Sequence, residues 1–130
     1  MTIQQTHTVR ERRADVHRRA IGSDVATVTK MLQSHLGQAL LAVIVNSQPR
    51  TIARWISGQS TPSAATEKLL RDVAQVFDVI TTVDTPQVAR AWFMGMNPQL
   101  DDNSPAEVLA EDPGATRAVM AAARAYVTGC

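Results

Sequence analysis

The chain is expected to be all-α, with a helix-turn-helix N-terminal lobe followed by a small helical C-terminal domain. Three observations lead there. Apolar residues recur at spacings of three and four along most of the 130 residues, as helices with one buried face require. Glycines and prolines fall between these periodic runs, where they end or open helices. The β-branched clusters at 43–45 and 79–83 sit inside helical periodicity and mark no separate strand. With 45% apolar residues the chain can bury a core, and its length suits one domain or two small lobes that share one.

Residues 1–22 have few large apolar side chains and carry Arg10, Arg12, Arg13, Arg18 and Arg19, so they read as a basic flexible arm. The helix-turn-helix lobe covers 23–62. Ser23 is the expected N-cap of a first helix in which Val25, Val28, Met31, Leu32 and Leu36 share a face and which ends near Gly37. A second helix runs from about Gln38 to Val45, and Asn46-Ser47-Gln48 is a polar turn. A third helix turns Ile52, Trp55 and Ile56 inward and stops at Gly58.

The C-terminal domain covers 63–130. Leu69, Leu70, Val73, Val76, Phe77 and Ile80 predict a long helix over 64–82. Pro86 opens a helix that passes Trp92 and Phe93 and ends near Gly95, and a loop follows that holds the polar pair Asp101-Asp102. Ser104-Pro105-Ala106-Glu107 combines an N-cap, a proline at the first helical position and a glutamate at N3, a capping box for a helix to about Ala110. Asp112-Pro113 repeats the cap and proline for a last helix over 113–127, with Val119, Met120, Ala123, Tyr126 and Val127 on one face.

Net charge is only +1, but it is unevenly placed. Residues 1–71 carry ten Lys/Arg against four Asp/Glu, and residues 72–130 carry three against eight. The first part attracts phosphate and the second repels it. No apolar run approaches a membrane span, and the N-terminal segment lacks the apolar stretch of a secretory signal. The one cysteine, Cys130, allows no disulfide framework. A soluble, cytoplasmic protein is the expectation. An enzyme is not: His7, His17 and His35 have no ligand-type spacing to carboxylates, and there is no phosphate-cradling glycine loop and no nucleophile motif. No metal, cofactor or catalytic residue is assigned.

The chemistry-bearing segment is 38–58. Ala42 is small where two helices must approach, Asn46 stands at a turn that needs a left-handed residue, and Ile52 and Trp55 face inward. Gln48, Arg50, Thr51 and Arg54 then point outward from the first turns of the second helix. Such a helix fits the major groove, where Arg pairs with guanine, Gln with adenine and the Thr methyl with thymine. Ser47, as the expected N-cap, would leave backbone N–H groups for a phosphate, and Gln38 would set the register on another. The arginine arm would track phosphates or enter the minor groove. A homodimer on paired half-sites of operator DNA is the default assembly.

Residues 46–62, NSQPRTIARWISGQSTP, resemble the helix-turn-helix of the Xre/MbcA/ParS-type antitoxins. Residues 89–129 resemble the toxin-binding domain of that group, with Trp92, then Asn97-Pro98-Gln99-Leu100, then Pro105 with Val108-Leu109, and Gly129 at the close. The resemblance implies an autoregulating repressor that also neutralises a RES-domain toxin, an NAD-degrading enzyme whose entrance the C-terminal region covers. It also implies toxin-facing positions around Arg117, Met120, Arg124, Tyr126 and Val127. The arm over 1–22 lies outside the shared pattern and points to extra DNA contact. Two other readings of the same residues stand beside this one. One is a stand-alone repressor of temperate-phage immunity type with no toxin partner; the other is a protein-interaction module that has lost DNA binding.

Overall fold

The computed structural model describes residues 24–129, and every element among them is helical. Asp24, rather than Ser23, starts the first helix: its Oδ1 accepts the Thr27 N–H at 2.8 Å. That bond holds the Asp24 carboxyl below its usual range. An aspartate suits the position because it satisfies a free amide and places negative charge at the positive end of the helix. Ser23 itself lies outside the described residues, as do the five arginines of the arm and Cys130.

Helix α1 (Val25–Leu36) and helix α2 (Gln38–Val45) are joined by Gly37 alone. Its φ of +88° is a region that L side chains rarely adopt, so one glycine turns the chain without strain. Asn46 follows α2 in the left-handed conformation, at φ 49° and ψ 49°. Helix α3 (Pro49–Ser57) then starts with Pro49 at its first position and ends at left-handed Gly58. Here the structure corrects the expected cap. Gln48 occupies the N-cap position with no side-chain cap bond, while the Ser47 hydroxyl turns back to donate to the Val45 carbonyl at 3.2 Å.

Helix α4 (Ala64–Thr81) is capped by Ser63, and helix α5 (Pro86–Met94) by Thr85. The expected loop after α5 contains a 3-10 turn, Pro98–Leu100. Asn97 makes it: its Oδ1 accepts the Gln99 N–H at 2.9 Å, and its carbonyl accepts from Leu100 and Asp102. Helix α6 (Pro105–Glu111) has Ser104 as N-cap. The capping box is modified, because the Glu107 carboxylate accepts from the Ser104 hydroxyl at 2.8 Å. The last helix is shorter at its start than its periodicity suggests. Asp112 Oδ1 accepts the Gly114 N–H and winds Pro113–Ala115 as a 3-10 turn, so helix α7 is Thr116–Thr128.

One apolar core runs through all seven helices of the described residues. Leu32 and Leu36 of α1, Leu41 and Ile44 of α2, Ile52 of α3, Leu70 and Val73 of α4, Phe93 of α5, Leu109 of α6 and Val119 of α7 are all fully buried in it. Helix α1 packs on α3, α4 and α5; α2 packs on α6; α4 packs on α7. The helix-turn-helix is thus seated on the C-terminal helices. Tyr126 departs from the apolar stripe of α7: it stays 39% exposed, and its hydroxyl donates to Asp84 at 2.5 Å, which raises its pKa.

Candidate nucleic-acid interface

Helix α3 is held from its inner side. Ile52 has no exposed surface, Trp55 has 7%, and Ile56 is half-buried, so this short helix is pinned by its apolar face. Trp55 is therefore a core residue. On the opposite side Arg50 and Arg54, one turn apart, are both exposed. Neither guanidinium makes an ion pair or hydrogen bond among the described residues. Gln48 is exposed at the start of the helix, and Thr51 is half-buried beside it. Gln38 is exposed at the first position of α2. Gln38, Gln48, Arg50 and Arg54 are thus accessible on two helices joined by a three-residue turn. Ser47 is half-buried and committed to its own turn.

A second surface lies between α4 and α7. A groove of about 370 Å³ is lined by Arg117, Met120 and Arg124 from one side and by Lys68, Asp72, Gln75 and Val76 from the other. Lys68 is paired with Asp72 at 2.7 Å. Arg117 and Arg124 are exposed and, among the described residues, unpaired, so they leave this groove positive within an otherwise acidic half. Three of the five residues implied as partner-facing therefore converge here. Tyr126 and Val127 do not line the groove. Lys68 and Gln75 do, and no sequence signal pointed to them: their places on α4 gain meaning only when α7 packs alongside.

No protein-family model matches the chain. A stretch of 66 residues, 51% of this chain, is 32% identical to the mycobacterial cidal antitoxin MbcA of Mycobacterium bovis and of two strains of Mycobacterium tuberculosis. That stretch covers 58% of each relative, so the match spans little more than half the length of these curated proteins. The fold reaches further. A chain in the crystal structure of the M. tuberculosis MbcT–MbcA toxin–antitoxin complex superposes with a TM-score of 0.66 at 27% identity, over 80% of this chain and 94% of that one. The chain is similar in sequence and in fold to the MbcA antitoxins. The expected likeness to this group of antitoxins is thus found, and the all-α architecture agrees with it.

Among the described residues no helix is long and apolar enough to cross a membrane, and no group of three or more His, Cys, Asp or Glu could hold a metal ion. What the arrangement offers chemically is exposed guanidinium and amide groups on anchored helices, unpaired among the described residues. Such groups recognise phosphates, base edges and carboxylates.

Proposed function

We propose that this chain is an antitoxin that also represses transcription, reading operator DNA with α3 and engaging a toxin through the α4–α7 face. The observation that carries the DNA half is the outer face of α3. Its cations are exposed and, among the described residues, unpaired, while the same helix is clamped on its inner side by Ile52 and Trp55. A helix anchored on its inner face fixes where its outer side chains start from, so binding need order only those side chains and not the backbone. Arg50 and Arg54 would read base edges, Gln48 and Gln38 would fix the register, and two copies would sit on half-sites one helical turn apart.

The antitoxin half is supported by the likeness to a chain seen in a toxin–antitoxin complex over 94% of its length. The expected partner is a RES-domain toxin, in keeping with the sequence resemblance. The positive groove at Arg117 and Arg124 is the contact surface assigned to it.

The two halves are tested separately. In a mobility-shift titration on the chain's own upstream region, Arg54→Ala is expected to weaken specific binding by about 1–3 kcal/mol and to relax specificity at one position. An unchanged titration would remove Arg54 from the interface. Co-expression with a toxin encoded beside the gene is expected to restore growth. Failure of that rescue with DNA binding intact would leave a stand-alone repressor.

A further inference from the structure

We propose that Arg90 is a DNA-backbone contact, binding an operator phosphate at the cleft between the end of α1 and the start of α5. The proposal rests on the DNA-binding reading above and adds a residue that the reading lacks. Arg90 belongs to the acidic part of the chain and lies far in sequence from the helix-turn-helix. The fold nevertheless brings it there. Its Nε donates to the Leu36 carbonyl at 2.9 Å, across 54 residues. A Cβ placed on Gly37 would stand 3.7 Å from that Nε and 3.8 Å from Nη2. The guanidinium therefore lies over the single-residue link that leads into Gln38 and α2.

Closing the last turn of α1 uses one of the five N–H groups of an arginine. The terminal nitrogens of Arg90 make no hydrogen bond or ion pair among the described residues. Arg90 is exposed and lines a cleft of about 340 Å³ together with Ser34, His35, Gly37, Pro86 and Gln87. The lining offers a hydroxyl, an imidazole, an amide and a guanidinium, and no carboxylate. That donor set suits an anion. The anchored Nε holds the planar fork in place, so less side-chain entropy is lost when a phosphate arrives.

Docking geometry supplies the source of the anion. When the second helix of this motif lies in the major groove, the first crosses the sugar–phosphate backbone. Here that first helix is α2, and Arg90 sits at its beginning.

The test compares full-length wild type with Arg90→Gln and Arg90→Lys, titrating operator and scrambled duplex DNA over a series of salt concentrations. Arg90→Gln is expected to weaken both duplexes by the same factor and to make the slope of log K against log salt shallower by about 0.9, as losing one phosphate contact requires. Arg90→Lys, which keeps the charge, is expected to restore most of the slope. Helix content by circular dichroism checks that each variant is folded. An Arg90→Gln slope equal to wild type would overturn the proposal while leaving the DNA-binding reading in place. Loss of slope in folded Arg90→Lys as well would overturn it in favour of a purely structural bond to Leu36. Absence of wild-type binding to either duplex would overturn both readings.

Discussion

Asn97, Ser104 and Tyr126 show how single side chains carry this fold. Asn97 and Ser104 are buried polar residues whose partners are all local: each accepts an amide of the turn or helix it opens. The Asn-Pro-x-Leu pattern at 97–100 is therefore explained by capping and by the burial of Leu100, without reference to a partner. Tyr126 reaches across 42 residues to Asp84 and ties the end of α7 to the segment after α4. The hydrogen bond to Asp84 raises the phenol's pKa above its ordinary 10.0. The folded state therefore binds this proton more tightly than the unfolded state, and the linked stability is complete below pH 10.0 and falls as pH rises through the folded pKa. The difference in urea midpoint between wild type and Tyr126→Phe is expected to be constant up to that pH and to shrink above it. A pH-independent difference would show that the bond is not formed in solution.

Helix α3 depends on where it stops. Its final carbonyls are closed by a left-handed residue, with the Gln59 N–H on the Arg54 carbonyl at 3.0 Å. Gly58 has φ +82°, and nothing lies within 4 Å of where its Cβ would be. Gly58→Ala therefore meets no steric obstacle, and its whole cost is backbone conformation, about 1–2 kcal/mol. Chemical denaturation of that variant should show this loss in the midpoint with an unchanged m-value. The contrast with α7 is informative. Helix α3 exposes its cations because a short helix pinned by Ile52 and Trp55 leaves its other face outside. Helix α7 exposes Arg117 and Arg124 beside α4, so its cations border a groove.

At the scale of the molecule, the described residues form one packing unit, since α1 and α2 bury their apolar faces on α4, α5 and α6. Phe93 has no exposed surface and belongs to that shared core. Phe93→Ala is expected to cost about 3–5 kcal/mol, a large share of the roughly 5–15 kcal/mol that holds a typical domain. If the core is shared, calorimetry should show one transition moved to lower temperature. Two separate transitions, with the helix-turn-helix melting alone, would contradict it. Helix positions, the left-handed turn at Asn46, the stop at Gly58 and the outward arginines of α3 were all legible in the sequence. Periodicity, capping and turn chemistry act over fewer than ten residues, so local order is enough to read them. Three details still went astray locally, at Ser23, Ser47 and Pro113, where neighbouring residues of similar chemistry compete for one cap or one turn. The meeting of Arg117 and Arg124 with Lys68, the tie from Tyr126 to Asp84 and the placing of Arg90 over Gly37 had no sequence signal. Each joins residues more than forty positions apart, and only the packing of complete helices brings such groups within reach.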